Sequence, residues 1–300
     1  MSILSRQIVA DNLARLFAAL INPAPKPAVR CPDVPGRTSE VTVPTRYGNV
    51  AATLYHPAEE PAGVYVNIHG GGFVVGHREQ DDPWCRYLAA HAGVVVINTD
   101  YVLAPAHRFP AAPQQIYDVV SWAAREWAAA PVCVGGQSAG GSLAAAAARL
   151  ALENQSPAIT LQVLHYAPLD LVTPTSAKRS ALGDKAVMKP WMGQVFDTAY
   201  IPDPAQRNDR LASPALDVAD LTGIAPALVV TAEYDRLRDE ARRYADALQA
   251  AGALAEYYEV PGVDHGYNIM SDAADVTLAA YAHIAGHVRR AITERRHAEG

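Results

Sequence analysis

Residues 131–148 read PVCVGGQSAGGSLAAAAA. The apolar run Val132-Cys133-Val134 predicts a buried strand, and helix formers fill nearly every position after Gly141. Between them, Gly136 to Gly140 fit G-x-S-x-G, a nucleophile elbow. A strand that turns into a helix within so few residues strains its tip residue, and flanking glycines remove the Cβ atoms that would clash. Ser138 then projects its hydroxyl above the sheet, beside the free N–H groups and positive dipole end of the helix. Ala144 to Ala148 let that helix lie close on the sheet. The competing reading is a Gly-rich turn with a chance serine, because both residues are common in turns.

The rest of the chain decides between them. Val64–Ile68, Val94–Asn98, Ile159–Tyr166, Ala227–Thr231 and Leu254–Val260 predict further strands, and residues 37–46 and 50–56 a hairpin turning at Tyr47-Gly48-Asn49. Residues 82–92, Pro113–Ala129, the face Leu237/Ala241/Tyr244/Leu248 ended by Gly252, and residues 272–296 predict helices. An amphipathic helix over residues 3–20 carries Leu4, Ile8, Leu13, Leu16, Phe17 and Leu20. Pro23, Pro25, Pro27, Pro32 and Pro35 then give an extended connector. Residues 172–212 break the rhythm. Strands alternating with helices imply an α/β fold with a mostly parallel sheet covered on both faces, whose sites lie at the carboxyl ends of the strands. Ser138, His69–Gly72, Asp235 and His265 all follow predicted strands, so one sheet edge collects them.

With 300 residues, half of them hydrophobic and 19% charged, the chain can bury a large core. A net charge of −6 argues against a nucleic-acid partner and gives no basic face for anionic membranes. No apolar run reaches membrane-spanning length, and Asp11 and Arg15 interrupt any signal peptide. Cys31, Cys85 and Cys133 form no C-x-x-C pair, which points to a reduced, cytoplasmic setting. There is no internal repeat.

A serine hydroxyl needs a base within reach. Among ten histidines, His265 stands out, because it follows the last strand in Pro261-Gly-Val-Asp-His-Gly-Tyr267. The base needs a carboxylate to hold its tautomer. Asp235 is the candidate, with Glu233, Asp239 and Asp264 as competitors and a helix N-cap as its alternative role. The order Ser, Asp, His fits the elbow. His69-Gly70-Gly71-Gly72 could present backbone N–H groups to a developing oxyanion, each donor being worth roughly 3–4 kcal/mol. Against zinc at His69 stands the lack of a second ligand at motif spacing, and against a phosphate loop the lack of a following G-K-[ST].

These residues carry a resemblance. From Tyr65 to Tyr267 the chain resembles the hormone-sensitive-lipase-like family of bacterial carboxylesterases, on the α/β-hydrolase fold. The shared motifs are His69-Gly-Gly-Gly-Phe73, Tyr101-Val-Leu-Ala-Pro105, His107-Arg-Phe-Pro-Ala-Ala112, Gly136-Gln-Ser-Ala-Gly-Gly141, Ala232-Glu-Tyr-Asp-Arg-Leu-Arg-Asp239 and His265-Gly266. The resemblance implies a triad of Ser138, Asp235 and His265. It implies an oxyanion hole from the N–H groups of Gly71, Gly72 and Ala139. It also implies a single domain with a cap formed by about residues 1–35 and 172–212. The chain departs from the family at Gln137 (usually Asp or Thr), at Val102 and Ala106 (usually charged) and at Arg236 (usually Pro).

The function expected is hydrolysis of short- to medium-chain carboxylic esters through an acyl-enzyme, with no cofactor and no metal. The partner expected is a small-molecule ester, with no nucleic acid and no membrane, and a homodimer is left open. An amidase, lactonase or acyltransferase would use the same triad. A non-catalytic ligand-binding receptor on the same fold is the alternative of another class.

Overall fold

The computed structural model describes residues 3–21, 29–31, 34, 36–217 and 220–299. Eight strands form one sheet: β1 (Arg37–Thr45), β2 (Gly48–His56), β3 (Gly63–Ile68), β4 (Val94–Thr99), β5 (Val132–Gln137), β6 (Ile159–His165), β7 (Ala227–Ala232) and β8 (Leu254–Val260). The helices are α1 (Gln7–Ile21), α2 (Asp82–Ala92), α3 (Ala111–Glu126), α4 (Ala139–Asn154), α5 (Pro190–Tyr200), α6 (Arg238–Ala250), α7 (Tyr267–Met270) and α8 (Ala274–Glu299).

The strand order is β1-β2-β4-β3-β5-β6-β7-β8. β1, β2 and β4 pair antiparallel, and every pairing from β4 through β3 to β8 is parallel. This is the α/β-hydrolase architecture that the sequence predicts. Alternation along each buried strand divides the core in two. Val64, Val66, Val132 and Val134 face a layer that includes Ala144, Ala148 and Leu248. Tyr65 and Cys133 face the other layer, with Leu88, Tyr281 and Ile284. A parallel sheet buried on both faces needs such uninterrupted apolar strands.

Three local expectations are corrected. The hairpin turns at Arg46-Tyr47, and Gly48 opens β2 at φ 97°. Helix α3 begins at Ala111, two residues before Pro113. Proline fits there because the first turn's N–H groups lack helical partners anyway. The apolar stripe over residues 3–20 is buried only in part: Leu4, Leu13 and Phe17 pack against the core, Ile8, Leu16 and Leu20 are exposed, and Ala10, Asp11 and Ala14 lie deepest. The long-range pair Asp11–Arg108, 2.7 Å apart, turns that face inward, and Arg108 also donates to the Ala199 carbonyl of α5 at 2.5 Å. Phe17 meets the rings of Trp191 and Phe196 edge-on, so α1 and α5 pack together. The five connector prolines lie outside the described residues.

Candidate active site

β5 delivers Ser138 to the carboxyl edge of the sheet. Its backbone sits at φ 52°, ψ −125°, which few L-residues adopt, between the end of β5 and the start of α4. The turn is possible because the chain crosses itself closely: a Cβ on Gly140 would overlap the Ile68 carbonyl. The Ser138 N–H donates to the His165 carbonyl at 2.9 Å, which ties the elbow to β6.

Ser138 Oγ lies 2.9 Å from Nε2 of His265, and Nδ1 of that ring lies 2.7 Å from Oδ2 of Asp235. An ionised carboxylate only accepts, so Nδ1 carries the proton and Nε2 turns its lone pair to the serine hydroxyl. His265 and Asp235 are almost wholly buried. Burial opposes a charge on the imidazole, but Asp235, by its charge and hydrogen bond, outweighs it and raises the ring's pKa above its ordinary 6.5. Asp235 is not the N-cap of α6, which is Leu237; its Oδ1 accepts the Leu237 N–H at 3.0 Å in a turn that leads into that helix.

The competing carboxylates are engaged elsewhere. Asp264 accepts the N–H groups of Val187 and of His265 itself, both at 2.7 Å. Glu233 accepts the Gly262 N–H, and Asp239 is exposed beside Arg238. His69 stacks on Tyr101, and its Nδ1 bonds the Gly70 carbonyl at 2.7 Å.

The loop after β3 brings Gly71 and Gly72 to the same opening. Gly71 has φ 132°, and a Cβ there would overlap the Val75 carbonyl. The amide N–H groups of Gly71, Gly72 and Ala139 find no acceptor among the described residues. A mostly apolar cavity of about 170 Å³ lies over Gly71 and Gly72, lined also by Ser138, His265, Phe17, Met192, Phe196 and Tyr166 among others.

A buried polar network under the elbow escaped the sequence. Nε2 of Gln137 donates to Asp81, and its Oε1 accepts the Tyr166 hydroxyl and the Asn268 amide, both at 2.7 Å. Asn67 donates to the other Asp81 oxygen at 2.8 Å. Burial raises the Asp81 carboxyl to about 6, against the hydrogen bonds that lower it. The available signal was the departure at Gln137; Tyr166, predicted as the last residue of a strand, instead follows β6, which ends at His165. The departure at Arg236 also finds a purpose. Its guanidinium donates to the carbonyls of Lys178 and Gly183 at 2.6 and 2.7 Å, fastening the Asp235 loop to the irregular segment before α5. Lys178 is not a solvated surface charge, as its ammonium is buried 2.5 Å from Glu240.

The three cysteines are free. Among the described residues, no helix is long and apolar enough to cross a membrane.

Known proteins resemble this chain along most of its length. A family model described as alpha/beta hydrolase fold matches residues 65–269. The chain is 33% identical over 248 residues to carboxylic ester hydrolase LipN of Mycobacterium tuberculosis, a match covering 79% of this chain but only 65% of LipN. It is 34% identical to an ethyl acetate hydrolase of Pseudomonas putida, over 78% of this chain and 77% of that one. The solved structure of an esterase from Pyrobaculum calidifontis superposes with a TM-score of 0.79 at 31% identity, covering 97% of this chain and 93% of that one.

Proposed function

The chain belongs to the α/β-hydrolase family, in its hormone-sensitive-lipase-like branch, and on that premise we propose that it is a serine carboxylesterase acting on short- to medium-chain esters. The observation that carries this is the relay from Asp235 through His265 to Ser138 at the floor of an apolar cavity.

Ser138 Oγ attacks the ester carbonyl carbon while Nε2 of His265 takes the hydroxyl proton. The carbonyl π electrons move onto oxygen, where the N–H groups of Gly71, Gly72 and Ala139 receive the negative charge. As the intermediate collapses, His265 gives its proton to the departing alcohol, leaving Ser138 acylated. Water then attacks the acyl group with His265 again as base, and the acid leaves as the serine hydroxyl is restored. Asp235 holds the tautomer and stabilises the imidazolium. No step calls on a cofactor.

Helices α1 and α5 serve as the cap over the acyl pocket. The space beneath them, about 170 Å³, is close to a cavity of ~150 Å³ that accepts benzene and below the ~300–1,000 Å³ of pockets for drug-sized ligands. That size favours short acyl groups. The ethyl acetate hydrolase among the relatives, named for a short ester, supports the same reading.

The test is rapid mixing with an activated aryl ester, followed by initial rates over a series of acyl lengths. A burst of one alcohol per chain, with rates highest for short acyl groups, is expected. Binding without a burst or turnover would favour the receptor alternative, and faster hydrolysis of emulsified long-chain lipid would overturn the substrate class.

A further inference from the structure

Far along the sheet from the elbow, the edge strand β8 meets the C-terminal helix α8 through three groups that the ester chemistry does not use. His283 and His287 stand four residues apart in His283-Ile-Ala-Gly-His287, so both rings emerge from one face of α8. Glu256 projects from β8 between them. Nε2 of His283 lies 3.1 Å from Oε1 of Glu256, and Nε2 of His287 lies 2.7 Å from Oε2. These donor atoms all fall within 4.8 Å of one another. Tyr258, two residues along the same strand face, stacks on His283 with ring centroids 4.1 Å apart and fixes its orientation.

Hydrogen bonding alone does not account for His287. Its Nε2 faces a Glu256 oxygen at 2.7 Å and an Arg290 guanidinium nitrogen at 3.0 Å. An imidazole nitrogen has either one proton or one lone pair. With the proton it satisfies Glu256 and meets an Arg N–H head-on. With the lone pair it accepts from Arg290 and faces a carboxylate lone pair. A cation between the carboxylate and the two ring nitrogens removes this conflict, because all three then act as lone-pair donors to it.

We propose that Glu256, His283 and His287 form a binding site for a divalent transition-metal ion, zinc above all, that clips α8 to the sheet edge. Two imidazole nitrogens and one carboxylate suit zinc rather than magnesium or calcium, and two histidines at i, i+4 on a helix are a recurrent way to present them. Zinc–ligand bonds of about 2.0–2.2 Å put neighbouring ligand atoms about 3.3 Å apart in a tetrahedron. The spacings here need only small rotamer shifts to reach that. Arg290 is exposed at the end of a long side chain and must swing aside. The strand order sets β7 and β6 between this site and β5, so the ion is structural and the ester chemistry does not pass through it.

The experiment loads untagged full-length chain with zinc, desalts it, and measures retained metal and the thermal midpoint. One zinc per chain is expected in the wild type, with the midpoint raised on the order of 5 °C when zinc is about a hundredfold above its dissociation constant. Magnesium at the same concentration should leave the midpoint unmoved. His283→Gln, at a partly exposed position, and Glu256→Gln should each weaken zinc binding by roughly 100-fold while keeping metal-free esterase turnover. Arg290→Ala, which removes a competing cation, should bind zinc more tightly than the wild type. Retention that is equal in wild type and His283→Gln, or absent from both, overturns the proposal. So does weaker binding in Arg290→Ala.

Discussion

Asp235 holds His265 by a single 2.7 Å contact to Nδ1, while its other oxygen is spent on the Leu237 N–H. One carboxylate therefore sets the tautomer of the base and holds the turn that leads into α6. The direction of the His265 shift, upward despite burial, follows from this partner.

Activity against pH should report that shift. The ring must be neutral to accept the Ser138 proton, and its pKa in the folded chain lies above 6.5. For a neutral ester, kcat/KM should rise with unit slope through one ionisation above that value and then level off. Asp235→Asn should move the ionisation down and lower kcat by roughly 10⁴-fold. Asp264→Asn, whose side chain bonds only backbone N–H groups but whose charge also supports the ring, should lower the ionisation less than Asp235→Asn and leave kcat far less affected. Comparable losses in the two variants would exchange the assigned carboxylates.

Ser138→Ala should lower kcat by roughly 10⁶-fold while the fold survives. Ser138→Gly should be equally inactive but more stable than Ser138→Ala. Glycine alone is at ease at φ 52°, and relief of such strain is worth about 1–3 kcal/mol. Denaturant midpoints of the two variants give the comparison, and equal midpoints would mean that the elbow stores no strain.

Gln137→Leu should destabilise the protein by roughly 1–3 kcal/mol or more. It strips partners from Asp81, the Tyr166 hydroxyl and the Asn268 amide, all buried. Chemical denaturation decides this; a neutral outcome would show that the network re-forms around the gap.

Arg108→Met should loosen α1 from α5, because it deletes the contacts to Asp11 and to the Ala199 carbonyl. KM should rise by roughly tenfold, the equivalent of one lost charged hydrogen bond of ~1.5 kcal/mol, with kcat for the shortest esters little changed. Steady-state kinetics on an acetyl and a hexanoyl ester would show it, and an unaltered KM for both would detach α1 from substrate binding.

The strands were legible in the sequence because β-branched runs such as Val94–Asn98 need no distant partner to be recognised. Ser138 and His265 could be read from local glycine patterns. Asp235 could be preferred to Asp264, which adjoins His265 in sequence, but the N–H groups that engage Asp264 come from Val187 as well and are not written locally. The stripe of α1 was right at Leu13 and Phe17 and wrong at Ile8, Leu16 and Leu20, because the helix's orientation depends on Arg108, 97 residues from Asp11. Asp81, Gln137, Tyr166 and Asn268 come from four separate segments, and no spacing rule joins them. The same holds for Glu256 with His283 and His287.

Phe17 walls the cavity from outside the segment that matches the family, residues 65–269, whereas Ser138, Asp235 and His265 all lie inside it. The reactive groups and part of the pocket's outline are thus inherited on different stretches of chain. Substitutions along α1 can re-tailor which acyl groups fit without disturbing the elbow.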